Sequence, residues 1–143
     1  MNGNSIINMT IKEFFKKDLY AELTGAELIE VDNGRAVVKM EVRETHFNAG
    51  GVVQGGAVFT LADLAFAAAA VSIYKSVVVS IETDIRFFKS TNSGTLYAKA
   101  KALDIHHKLG TFEVRIVDEK EQLIALFTAT GYRKDIPLNL END

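Results

Sequence analysis

GGAVFTLADLAFAAAAVSIY, from Gly55 to Tyr74, is the stretch whose reading decides the fold. Every residue in it is apolar, small or hydroxylated except Asp63, and it holds no proline. As a helix it is hydrophobic nearly all round, so it should be buried on most sides. The portion from Ala57 to Tyr74 is close to the minimum length that crosses a bilayer. A carboxylate in mid-span is costly in lipid, so the segment reads as a core helix and not as a membrane anchor.

What lies downstream must cover that helix. Four strand-like runs follow: Val77 to Lys89, Thr95 to Ile105, Thr111 to Asp118 and Gln122 to Arg133. Thr91-Asn92-Ser93-Gly94 and Asp118-Glu119-Lys120-Glu121 are turn sequences between them. In the second run Leu96, Ala98, Ala100 and Ala102 share one face. These side chains are small, as expected where a helix lies close on a sheet.

Upstream, Arg35 to Arg43 alternates. Ala36, Val38, Met40 and Val42 face one way, with Arg35, Lys39, Glu41 and Arg43 opposite, the pattern of a half-buried antiparallel strand. Asp32-Asn33-Gly34 is a hairpin turn joining it to a short strand from Ala26 to Val31. Thr10 and Glu13 form a capping-box signature. Ile11, Phe14, Phe15, Leu19 and Leu23 then give an apolar stripe for one helix ending near Gly25. Residues 1–9 and 137–143 read as loose ends. The plan is an α+β domain spanning 1–143, an antiparallel sheet of five to six strands wrapped around one long central helix. A helix on one side only leaves the sheet edges open, and pairing an edge with a second copy would hide it.

Composition narrows the partners. The 143 residues suit one domain, and the net charge of −3 offers no electrostatic case for nucleic acid or an anionic membrane. Cysteine is absent, so disulfides, thiolate metal sites and a cysteine nucleophile are excluded. Three histidines, of which His106 and His107 are adjacent, make a poor zinc site. The polar, uncharged start from Met1 to Met9 has no secretory character, and a cytoplasmic location is expected.

The chemistry concentrates in HFNAGGVVQGGAVFTLAD, His46 to Asp63. Gly55-Gly56 places unobstructed N–H groups at a helix N-terminus, where the dipole favours a developing negative charge. Asp63 is the lone formal charge between Glu44 and Lys75. A buried, unpaired carboxylate is expensive, although an exposed position or a structural hydrogen bond would also account for it. Gly56, Thr60, Asp63, Ala67 and Ala70 form a small, partly polar stripe at three- and four-residue spacing. Gly55 and Asp63 are eight residues apart, which on one helix is about 12 Å. One reacting carbonyl cannot touch both in the same chain. Two such helices, antiparallel across a two-fold axis, would bring Gly55 of one near Asp63 of the other.

Asn48-x-x-Gly51-x-x-Gln54-Gly55-Gly56, followed by Leu61-Ala62-Asp63, resembles the hotdog-fold acyl-CoA thioesterases of the phenylacetate-pathway type. The resemblance continues through Ser80 to Phe88 and through Lys108-x-Gly110 to Tyr132, covering roughly residues 20–133. It implies hydrolysis of an acyl-CoA. The Gly55 N–H would hold the thioester oxygen, and Asp63 of the partner subunit would act as general base or nucleophile. Asn48 would orient the carbonyl or the water, and Ser80 would position the water. Gln54 stands where that family usually has histidine; its amide donates a hydrogen bond but cannot titrate.

Val53 and Gly56 would line the pocket. Phe88, Lys89 and Ser90, with His107, Lys108, Gly110 and Thr111, match the positions that hold CoA, for which ordinary solvated strand ends are the alternative. Arg86 reads equally as a strand-face ion pair. No metal and no separate cofactor is implied, and the implied assembly is a homo-oligomer, a dimer or a homotetramer built as a dimer of dimers. Two other readings stay open. His46-Phe47 resembles the His-Phe-Pro start of hotdog dehydratases and hydratases, although Asn48 replaces the proline. Gln54 also leaves room for a non-catalytic acyl-CoA binder.

Overall fold

A computed structural model of the chain describes residues 8–143. The elements are β1 (Met9–Thr10), α1 (Ile11–Phe15), α2 (Leu19–Thr24), β2 (Glu27–Asp32), β3 (Arg35–Glu41), a single 3-10 turn (Glu44–His46), α3 (Gly55–Tyr74), β4 (Ser76–Phe87), β5 (Thr95–Ile105), β6 (Leu109–Val117), β7 (Leu123–Pro137) and β8 (Leu140–Glu141). Six strands form one antiparallel sheet in the order β2-β3-β5-β6-β7-β4. α3 lies against its inner face, the wrapped-helix plan that the alternation and the apolar helix predict and the hotdog fold that the resemblance implies.

The register shows why the side chains are the size they are. Ala36, Val38 and Met40 pair with Ala100, Ala98 and Leu96. All six are buried, so the helix backbone rides close over β3 and β5. Under its middle the wall is thicker. Phe66 meets Phe112 edge-on with ring centroids 5.5 Å apart, and Phe59 meets Phe127 at 5.3 Å. Gly131 is required beneath Phe66, because a Cβ there would lie 2.7 Å from Val78 and 3.0 Å from the Phe66 ring. The helix ends at Lys75, whose φ of 50° turns the chain into β4.

Three expectations change. The single helix ending near Gly25 is two short ones. Lys16 closes α1, and Asp18 starts α2 by accepting from the Ala21 N–H at 3.1 Å. The break rotates the apolar stripe, so Ile11 is buried while Leu19 and Leu23 are 76% and 77% exposed. Residues 137–143 are not loose. β7 runs to Pro137, Leu140–Glu141 pairs in parallel with Met9–Thr10, and the Lys12 N–H donates to the Asp143 carboxylate at 3.2 Å. Of the amino-terminal loose end, residues 1–7 lie outside the described residues. Ala70, placed on the small polar stripe, is fully buried, whereas Gly56, Thr60, Asp63 and Ala67 are the more open positions of α3.

β4 and β2 are the sheet's edges. β4 is long, and Val79, Ile81, Phe87 and Phe88 stand 42–59% exposed along it and just beyond. An edge of that length and character invites pairing.

Candidate active site

The loop from Phe47 to Gln54 is tied down before it reaches α3. Asn48 Oδ1 accepts from the Gly50 N–H at 2.9 Å and the Val52 N–H at 3.3 Å. Its oxygen therefore organises the glycine loop, and its Nδ2 remains the group able to reach a ligand. The Val53 N–H donates to Thr91 O at 2.9 Å, and the Gln54 N–H donates to His46 O at 2.8 Å. Gln54 is the N-cap of α3 without making a side-chain cap bond. Its carbonyl accepts from Ala57 and Val58, while the N–H groups of Gly55 and Gly56 have no acceptor among the described residues. A Cβ at Gly55 would lie 3.0 Å from the Phe87 ring, and one at Gly56 would lie 2.8 Å from Gln54 Oε1. Both glycines keep the free donors accessible beneath close side chains.

Around Gly55 lies a depression of about 350 Å³ that gathers Asn48, Val53, Phe88, Lys89 and Ser90. Five residues that the resemblance singles out thus converge on the helix tip. Others do not. Phe87 reaches Gly55, but Ser80 sits seven residues earlier on β4, roughly 20 Å away along an extended strand. It lies in a row with Gly131 and Gly110, beside a bulge between Ser80 and Glu82. His107, Lys108, Gly110 and Thr111 occupy the β5–β6 turn and the start of β6, at the opposite end of the sheet from Phe88–Ser90. Lys108 donates to Asp135 at 3.0 Å, and His107 contacts Arg133 at 3.0 Å. The Thr111 hydroxyl meets that of Thr130 at 3.1 Å. Arg86 makes only a long, exposed approach to Asp84 at 3.9 Å.

Asp63 lies on the open stripe of α3, partly buried. Burial raises its pKa from the ordinary aspartate value, and the negative charge of Asp18 adds to the rise. No cation within ion-pair distance and no hydrogen-bond donor compensates it among the described residues. The structural-hydrogen-bond account of this acid therefore has no partner to rest on.

His46 has a different role from the one its resemblance to dehydratases suggested. It is buried, its Nδ1 accepts from the Arg43 N–H at 2.9 Å, and its Nε2 lies 2.7 Å from Thr24 O. Since Nδ1 accepts, Nε2 carries the proton and donates. Neither nitrogen is left for acid–base work; the ring pins α2 to the loop that feeds α3. Sequence reasoning had no signal for this, because the contact spans 22 positions. We expect His46→Ala to lower stability by about 1–2 kcal/mol, as the buried ring is lost, the Arg43 N–H loses its acceptor and the Thr24 carbonyl keeps only Arg43 Nη2. Urea unfolding of the two proteins measures it.

A sheet wrapped on one long helix, with free amides at its tip and an uncompensated acid two turns along, matches the class the sequence resembles, the hotdog thioesterases. A family comparison agrees. Residues 50–125 match the thioesterase superfamily, and the chain belongs to that family as a thioester hydrolase. A putative esterase of Archaeoglobus fulgidus is 37% identical over 131 residues, covering 89% of this chain and 84% of that protein. The acyl-coenzyme A thioesterase PaaI of Escherichia coli is 33% identical over 120 residues, covering 83% and 85%. The solved structure of the E. coli PaaI protein, from the phenylacetic acid degradation operon, superposes with a TM-score of 0.84 at 30% identity over 88% of this chain and 91% of that one.

Proposed function

We propose that the protein hydrolyses an acyl-CoA to the free acid and CoA, at sites shared between two copies of the chain. The observation that carries this reading is the uncompensated Asp63 on the open stripe of α3, two turns from the free N–H groups of Gly55 and Gly56. The thioester oxygen accepts from the Gly55 N–H, and negative charge developing there meets the helix dipole. Asp63 of the partner takes a proton from water as the water oxygen attacks the carbonyl carbon. The C–S bond then breaks and the departing sulfur recovers the proton. Direct attack by the carboxylate is the other route open to the same geometry. Asn48 Nδ2 and the Gln54 amide supply further donors. The proposal needs no metal and no separate cofactor, and it places the enzyme in the cytoplasm.

Two separate parts of the fold support a common two-fold axis. Bringing Gly55 to the partner's Asp63 needs an axis crossing α3 at their midpoint, Phe59. Bringing Ser80 of one chain beside Phe87 of the other needs an axis crossing β4 between these residues, near Thr83 and Asp84. Phe59 packs on Phe127, whose cross-strand neighbour is Ile85. The two requirements thus fall at nearly the same height in the fold. Pairing β4 with its copy would also cover the exposed Val79 and Ile81 and bring the partner's Lys108 end of the sheet toward the Lys89 end. A dimer is the minimum this needs, and a tetramer would be two such dimers.

Thiol release across short, medium, long and aromatic acyl-CoAs tests the reading. Release from at least one class is expected. Hydration of an enoyl thioester without thiol release would overturn it, as would tight binding without turnover across the panel. Gln54→His should keep turnover within about tenfold of the original, because both side chains donate a hydrogen bond. Complete inactivity of a folded Gln54→His protein would show that the pocket is built differently.

A further inference from the structure

Two depressions flank the start of α3, and the hydrolase reading above uses only the one beside Gly55. The other, about 470 Å³, lies on the far side of Gln54; Tyr20 and Leu23 of α2 with Phe47 and Ala57 form its apolar part, and Thr24, Arg43, Thr45, His46 and Gln54 its polar part. Its volume falls in the range of small-molecule sites. α2 contributes one residue to the core, Ala21, and turns Tyr20 and Leu23 outward, 66% and 77% exposed. That placement is fixed at both ends. Asp18 caps the start, and the Thr24 carbonyl near the end accepts from Arg43 Nη2 at 2.8 Å and from His46 Nε2 at 2.7 Å. The same His46 accepts through its own carbonyl from the Gln54 N–H at 2.8 Å. The end of α2 is therefore tied through His46 to the loop that feeds α3, with Tyr20 and Leu23 turned outward beside that loop.

We propose that this groove receives the acyl group of the thioester, a medium-length or aryl group with an apolar body, and that Tyr20 and Leu23 set the acyl preference. The inference rests on the hydrolase reading and adds a direction to it. Gln54 lines this groove and Gly55 lines the other depression, so the two meet at adjacent residues. A carbonyl held at the Gly55 N–H sends its sulfur side toward Phe87, Phe88 and Lys89 and its acyl side toward Tyr20 and Leu23. An acetyl group would leave the groove empty, whereas an octanoyl or phenylacetyl group would bury apolar surface in it.

The experiment measures thiol release from acetyl-, octanoyl- and phenylacetyl-CoA by the full chain and by Leu23→Asp, Tyr20→Ala and Leu19→Asp, with sedimentation of each protein. Leu19 is equally exposed on the same helix but outside the groove. Leu23→Asp should lower kcat/KM for the two larger substrates by about tenfold to a hundredfold, with acetyl-CoA changing by less than about threefold. Tyr20→Ala should move the profile in the same direction, and Leu19→Asp should leave it in place. An unchanged profile in Leu23→Asp and Tyr20→Ala, or an equal loss on all three substrates, would overturn the proposal. So would dissociation of the oligomer by Leu23→Asp, which would make this face a contact between copies. An original protein that releases thiol from none of the three counts against the hydrolase reading itself, a result separable from the others.

Discussion

Asp63→Asn should lower turnover at least about a hundredfold, the usual scale for a lost acid–base group, while making the folded protein more stable at neutral pH. The two effects share one cause. Burial, helped by the charge of Asp18, raises the pKa of Asp63 in the folded chain. The folded state therefore prefers the protonated acid. Stability from this group is fully present below the unfolded carboxylate pKa and is lost as pH rises through the higher folded value. At neutral pH the charged form is a cost that asparagine removes, so the melting temperature of Asp63→Asn should exceed that of the original at pH 7. The difference should vanish on acidification below the ordinary aspartate range. The proposed catalysis needs the opposite protonation state: a base or nucleophile must be ionised, so the acid limb of kcat/KM should be displaced upward from the ordinary aspartate value and report the same raised pKa. Thermal melts and a pH–rate profile measure both. Unchanged turnover in Asp63→Asn would remove this residue from the chemistry, and a lower melting temperature would mean that the carboxylate has a stabilising partner.

That tension explains what the sequence could and could not disclose. The apolar segment from Gly55 to Tyr74 and the alternation around Val38 and Ala98 are local patterns, and local patterns carry the sheet and its helix. Asp63 was legible for the same reason, since one charge in a long apolar segment breaks the pattern. The stretch from Ile11 to Leu23 misled because the apolar spacing continues across a break made by Asp18 capping a second helix. Periodicity counts apolar residues; it does not see a new N-terminus that rotates Leu19 and Leu23 away from the core. The tie from His46 to Thr24, the pairing of Met9 with Leu140 and the separation of Lys108 from Lys89 all depend on strand order. Nothing within a window of sequence records strand order. Lys89 and Lys108 look like one patch only because each ends or begins a strand; the antiparallel order of β4, β7, β6 and β5 puts them at opposite ends.

Mixing two inactive variants should restore activity, and the size of the recovery follows from symmetry. Gly55 is the first residue of α3, the position at which proline is best accommodated, its fixed φ suiting the helix and its missing N–H costing no intrahelical bond. Gly55→Pro therefore removes the N–H proposed to hold the thioester oxygen and leaves the helix in place; the nearby Phe87 ring, at the sheet edge and 52% exposed, has room to yield. Alone, this variant should lose turnover by about a hundredfold or more, the scale of a missing oxyanion donor. Asp63→Asn alone should do the same. If each site takes its amide from one chain and its acid from the other, a mixed dimer holds one site with both groups intact and one with neither. Random exchange at equal amounts then gives about a quarter of the original activity, since half of the two-fold dimers are mixed and each has one working site. If both groups served the same chain's site, every site would lack one of them and mixing would recover nothing. Subunit exchange under mild denaturant, followed by a thiol-release assay, separates these outcomes. The separation of Gly55 from Asp63 along one helix, about 12 Å, is the reason the proposed mechanism expects the first of them.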